Sequence, residues 1–147
     1  MTINIKTFEA LTKSELYNIL QLRSEVFVVE QDCVYQDIDG LDEKAIHVMG
    51  FKQQQLVAYT RIFKPGDYFE EASIGRVVVK KEERKFGFGK DIMLASINFV
   101  NNTLNRNIIE LSAQVYLKKF YHELGFIAKG ETYLEDGIPH IKMAQKK

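Results

Sequence analysis

The chain has 147 residues, the length of one domain, so a single core spanning residues 1–147 is expected. Its 46% apolar and 12% aromatic content excludes an intrinsically disordered chain. Lys plus Arg number 20 and Asp plus Glu number 20, so there is no net positive field to hold a nucleic acid, and any anion site must be local. The one cysteine, Cys33, has no disulfide partner within the chain, and the cysteine-rich zinc patterns are absent. No metal site is expected. The N-terminal stretch MTINIKTFEA lacks a basic segment followed by an apolar one, and no run approaches the ~20 apolar residues of a membrane span. A soluble cytoplasmic protein with no membrane partner, monomer or homodimer, is the expectation.

In chain order, Ile3 to Phe8 alternate apolar and polar, which predicts a short strand. A helix is predicted from Thr12 to Glu30, with Thr12 as N-cap and Glu15 as its capping-box partner. The stretch Asp32 to Asp42 is acidic and turn-rich, ending near the turn signal Asp39-Gly40. Strands are predicted at Ala45 to Lys52 and Leu56 to Phe63, joined as a hairpin. Ser73 to Val79, with its β-branched run Val77-Val78-Val79, reads as a central strand. A charged turn then leads into Phe86-Gly87-Phe88-Gly89. Beyond it Met93, Ile97, Val100 and Leu104 mark one face of a helix. A strand from Asn107 to Leu111, a helix from about Gln114 to Leu124, and strands near Phe126 to Thr132 and His140 to Met143, joined through Asp136-Gly137, complete the chain. The mixture of hairpins with strand-helix units predicts an α/β (α+β) fold, a mixed sheet covered by helices.

The segment Arg84-Lys85-Phe86-Gly87-Phe88-Gly89-Lys90 lies between the β-branched strand and an amphipathic helix. Unpaired N–H groups of a helix's first turn attract anions, and glycines let a phosphate approach the backbone. The Walker A and GxGxxG patterns are both absent, so the expected ligand is phosphorylated but outside those two classes.

Arg84, Gly87 and Gly89 fill the pattern Arg/Gln-x-x-Gly-x-Gly/Ala, and Gln114 through Phe126 resembles a second signature, Asn-x-x-Ala-x-x-Leu-Tyr-x-x-x-Gly-Phe, with Gln114 for Asn and Leu117 for Ala. Both signatures resemble those of the GCN5-related N-acetyltransferases. Segments such as Leu22–Gln31, Tyr35–Gly40, Leu111–Gln114 and Glu135–His140 are similar to its ElaA-like subgroup, so the resemblance covers essentially the whole chain. It implies a mostly antiparallel central sheet flanked by helices, acetyl-CoA as cosubstrate, and transfer of an acetyl group to a primary amine of unknown identity. It further implies that CoA is bound by Val77, Val78 and Val79 on the strand, by the loop Arg84, Lys85, Phe86, Gly87, Phe88, Gly89 and Lys90, and by Gln114. Tyr121 matches the family tyrosine facing the CoA sulfur and is expected to be the general acid, with Tyr116 as the fallback donor.

The general base is left open. Ala72 to Val79 contains no carboxylate, and the remaining candidates are His47, His140 and Glu110, with Glu70 and Glu71 ahead of the strand, or a water chain in place of any one residue. Carboxylates of the acidic stretch, Glu30, Asp37 and Asp39, are expected to attract the cationic amine. No hydrolase signature surrounds Cys33, which reads as a packing residue. Two other functions share the resemblance: an acylhomoserine-lactone-type acyltransferase, through Arg23-Ser24-Glu25-Val26-Phe27, and a non-catalytic CoA-binding regulator.

Overall fold

The computed structural model describes residues 1–147. Strand β1 (Thr2–Thr7) leads to helix α1 (Lys13–Arg23). The Thr12 hydroxyl accepts the Glu15 N–H at 3.1 Å while the Glu15 carboxylate accepts the Thr12 N–H at 2.8 Å, so the predicted capping box forms. The helix does not stay α-helical to Glu30. From Ser24 to Glu30 it widens into π-helical turns, where the β-branched Val26, Val28 and Val29 weaken the α preference.

Strands β2 (Ile46–Lys52), β3 (Gln55–Phe63) and β4 (Ala72–Val79) follow as antiparallel neighbours. Helix α2 (Phe88–Asn98) and strand β5 (Ile108–Gln114) come next. The helix expected from Gln114 is shorter and starts later: a 3₁₀ turn at Val115–Leu117 precedes α3 (Lys118–Glu123). The reason is tertiary, since β5 pairs with β7 through Gln114↔His140 and the ladder overrides local helical preference. Strands β6 (Ile127–Glu135) and β7 (Ile138–Lys146) are longer than predicted. Asp136 (φ 51) and Gly137 (φ 76) both take the positive φ that a two-residue hairpin turn requires.

One sheet results, in the order β1-β2-β3-β4-β5-β7-β6, antiparallel except between β4 and β5. That parallel contact is only two residue pairs long, Ala72↔Ile109 and Ser73↔Glu110. Beyond them β4 bends through a bulge against β3, with Arg76 at φ 49, and the two strands part. The larger core packs one face of the sheet against α2 and α3 through Ile92, Met93, Val100, Tyr121 and Phe126. A smaller cluster of Ile19, Leu22, Val26, Met49, Tyr59 and Val78 packs α1 on the other face. No helix is long and apolar enough to cross a membrane.

A buried ionic cluster fixes the Asp32–Leu41 stretch to this second face. Arg23, fully buried, binds Asp37 Oδ2 at 2.9 Å and Asp42 Oδ1 at 2.8 Å. Arg61 binds Asp42 at 3.0 Å and Asp39 at 2.6 Å, and Arg76 pairs with Asp37 at 2.8 Å. Three guanidiniums thus meet three carboxylates, which is the condition under which burying charge is tolerated. The Asp39 carboxyl feels burial, which raises its pKa, but the hydrogen bonds and charge of Arg61, the Leu41 N–H and Arg76 outweigh it and hold the value at about 2. Asp42 is held below its usual range by Arg23 and Arg61 against the same burial cost.

Because these folded-state values lie below those of the unfolded chain, the contribution is complete above about pH 4 and is lost as pH falls toward 2. Urea midpoints are expected to drop across that window. Arg61→Met, which leaves Asp42 only Arg23 and Asp39 only the more distant Arg76 at 3.4 Å, should cost on the order of 3 kcal/mol and flatten the acid limb.

Candidate active site

A cleft of about 500 Å³ opens where β4 and β5 part. Its walls are Gly75 to Val79 of β4, Leu111, Ser112 and Gln114 of β5, and residues from the π-helical segment, α2, α3 and the β6–β7 hairpin. Past Ser73 the β4 edge facing the cleft has no strand partner. A row of backbone donors and acceptors is therefore presented to whatever occupies the opening.

At one end stands the N-terminus of α2. Gly87 takes the left-handed conformation there (φ 73, ψ 18), ending the preceding 3₁₀ turn and starting the helix, a geometry that favours glycine. The first intrahelical bond is Asp91 N–H to the Gly87 carbonyl, so the N–H groups of Phe88, Gly89 and Lys90 have no partner within the helix. Gly89 has a different reason to be glycine. A Cβ there would meet only Phe120 at 3.5 Å and Val79 at 3.7 Å, ordinary contacts, so the protein's own packing would accept one on the cleft wall.

The sequence expectations for this loop divide. Val77, Val78, Val79, Arg84, Gly87, Gly89, Lys90 and Gln114 all line the cleft. Lys85, Phe86 and Phe88 do not: Phe88 is buried in the core, and the Phe86 ring lies on the surface under the Lys52 ammonium at 3.9 Å. Arg84 lines the cleft but is committed to Glu30 at 2.5 and 2.8 Å and to the Val79 carbonyl at 3.1 Å. Its guanidinium in turn holds the Glu30 carboxyl below the usual range. Gln114 gives its amide N–H to Gln31 at 3.4 Å, while its Oε1 is buried without any donor. An occupant that offers an N–H donor would satisfy that oxygen.

Tyr121 is 5% exposed, packed edge-on against Phe120 and Phe126, and reaches the cleft wall. Burial pushes its phenol pKa well up, so it stays protonated through the neutral range. Tyr116 also lines the cleft but is 71% exposed and sits on the 3₁₀ turn, not on the helix of Tyr121.

Of the base candidates, the structure removes His47. It is fully buried away from the cleft, its Nε2 is 2.9 Å from the Asp42 carbonyl and its Nδ1 2.6 Å from the Tyr59 hydroxyl. A carbonyl only accepts, so Nε2 carries the proton and Nδ1 accepts from Tyr59, leaving no free lone pair. Burial also lowers its pKa. Glu110 pairs with Lys142 at 3.3 Å outside the cleft. Glu70 and Glu71 do not line it either. Asp37 and Asp39, expected to attract the amine, instead neutralise the buried arginines and do not line the cleft. Glu30 does line the cleft, though paired to Arg84. His140 lines it too.

Four cleft residues carry no site role in the sequence reading, although they lie in segments that resemble the family: Ser112, Tyr35, Glu135 and Asp136. Only the pairing of β5, β7 and β6 brings the last two to the opening, a contact no local pattern encodes. Cys33 reaches the same place, donating from Sγ to the Asp136 carbonyl at 3.4 Å and so tying the acidic stretch to the hairpin.

The model of the acetyltransferase (GNAT) domain matches residues 9–147. The chain is 45% identical over 138 residues to Protein ElaA of Escherichia coli (strain K12), covering 92% of this chain and 90% of that protein. The crystal structure of an acyl-CoA N-acyltransferase from Pseudomonas aeruginosa superposes with a TM-score of 0.92 at 41% identity, covering 99% of each chain, and that of Escherichia coli ElaA gives the same figures. The chain therefore belongs to the GNAT acetyltransferase family, whose members take an acyl group from acyl-CoA.

The two loop glycines should separate in a stability measurement. Gly87→Ala is expected to cost about 1 kcal/mol for forcing a side chain into positive φ. Gly89→Ala, with room for its Cβ and a better helix former, should be neutral or raise the melting temperature.

Proposed function

We propose that the chain transfers an acetyl group from acetyl-CoA to a primary amine by direct attack, with Tyr121 as general acid. The observation that carries this reading is the opening between β4 and β5, which brings an unpaired strand edge, a helix N-terminus and a buried protonated phenol to one cleft. When bound, acetyl-CoA supplies an activated thioester. The first-turn N–H groups of α2 hold its pyrophosphate, with Lys90 adding positive charge at the rim. Backbone groups of Val77 to Val79 align the pantetheine arm as a strand would, and the Gln114 Oε1 accepts one of its amide protons. Tyr121 holds its proton in an apolar setting and gives it to the departing sulfur.

Calorimetric titration with acetyl-CoA, followed by thiol release over a panel of amines, tests the whole reading: saturable binding and release with at least one amine are expected. Binding with no release over the panel would overturn it. Gly89→Val should weaken acetyl-CoA binding more than tenfold and Lys85→Ala hardly at all, since Lys85 does not reach the cleft. Equal modest losses would argue against a backbone pyrophosphate site. Tyr121→Phe should lower kcat by on the order of 10²-fold with acetyl-CoA affinity unchanged; an unaltered rate when chemistry limits turnover would remove Tyr121 from the mechanism.

A further inference from the structure

Resting on the amine-acetylation reading above, we propose that Glu135 and His140 form the acceptor subsite, where they bind the ammonium of a primary amine and take its proton. Strand register places them. Gln114 pairs with His140, His140 with Tyr133, and Ile138 with Glu135, and alternate residues of a strand share a face. Ser112, His140, Tyr133 and Glu135 therefore stand on one face of the sheet, whereas Leu111, Ala113, Ile141 and Met143 turn to the opposite face, where Tyr121 packs. The cleft passes through the sheet between the two. An amine bound at Glu135 and a thiol beside Tyr121 thus approach from opposite sides.

The His140 ring is held in one orientation. Its Nδ1 lies 2.7 Å from the Ile138 carbonyl, which only accepts, so Nδ1 carries a proton and Nε2 bears the lone pair of the neutral ring. Tyr133 stacks on the ring at 6.2 Å, and its hydroxyl is hydrogen-bonded to Ser112. The lone-pair nitrogen points at Glu135 Oε2, 3.3 Å away. With the ring neutral, these are two acceptors side by side and no donor between them. An ammonium supplies N–H groups to both, an alcohol supplies one, and a carboxylate supplies none.

Charge points the same way. Glu30 and Arg84 satisfy each other, and Arg76 is taken by Asp37 and Asp39. Glu135 has no lysine or arginine within 4.0 Å, and 43% of its side chain is exposed at the opening, so a cation can reach it. The proton balance closes. One ammonium proton passes to His140 Nε2 and on to solvent beside Glu135; the freed nitrogen pair forms the bond to the acyl carbon as the carbon–sulfur bond breaks. Tyr121 protonates the sulfur and is refilled by the second proton leaving nitrogen.

The chain has three histidines, His47, His122 and His140, so the ring signals of His140 are assignable by their loss in His140→Asn. n-Butylamine titrated into the protein, alone and saturated with CoA, should shift those signals, and Glu135→Gln should abolish the shift. With an amine that the wild type acetylates, Glu135→Gln should raise the amine KM about tenfold and His140→Asn should lower kcat by on the order of 10²-fold, with acetyl-CoA affinity within about twofold in both. Glu135→Asp should recover part of the loss, which a residue serving only the fold would not show. Unmoved His140 signals, or an unchanged amine KM in Glu135→Gln, would overturn the subsite. A wild type that shows the n-butylamine shift but releases no thiol with any amine would instead overturn acetylation and leave the cation site standing.

Discussion

Everything in the site depends on β4 and β5 pairing for two residues and then separating. A parallel pair that continued would satisfy its own backbone and close the sheet, leaving neither cleft nor free edge. The separation is built in on both strands. On β4, the bulge at Gly75–Arg76 turns the strand away while preserving its ladder with β3. On β5, full pairing with β7 commits the strand to the other half of the sheet. The opening is therefore a tug between two well-paired halves.

Such an opening exposes polar backbone and needs bracing at its rim. The bracing comes from the arginine–aspartate cluster, which binds α1, β3 and β4 through one loop, and Arg76, beside the bulge, is one of its members. Its strained φ is stabilised where the ion pairs to Asp37 and Asp39 hold the side chain. On the opposite rim, Cys33 to Asp136 and Gln31 to Gln114 join the same loop and helix end to β5 and the hairpin. The acidic stretch is thus a strut across the cleft, which explains why its carboxylates are spent on arginines.

What the sequence made legible was local. The Thr12–Glu15 cap, the β-branched run of β4, the glycines before α2 and the Asp136-Gly137 turn each rest on chemistry within a few residues. The pairing of Asp37 and Asp39 is not legible locally, because their partners, Arg23, Arg61 and Arg76, lie 14 to 39 residues away and an acidic loop looks the same whether it faces solvent or buried guanidiniums. The start of α3 was misplaced because β7, which holds Gln114 in a strand, comes later in the chain. His47 and His140 were equivalent as histidines in strands. Register alone separates them: one is sealed beneath the ionic cluster with both nitrogens engaged, the other stands at the opening.

The same register bears on how one site handles opposite proton demands. In the proposed reaction a donor must stay protonated while an acceptor of protons stays unprotonated, at the same pH and a short distance apart. Pulling two such groups apart requires unlike surroundings. Tyr121 stands on the face packed by Phe120 and Phe126, where burial disfavours the phenolate. Glu135, half-exposed, and His140, buried against the Tyr133 ring, stand on the polar face. The gap between β4 and β5 is lined from both faces, and in the proposed reaction it would let both act at one acyl carbon, while the backbone and alternating side chains keep the two environments distinct. A closed sheet would separate the groups entirely, and a surface groove would place them in the same solvent.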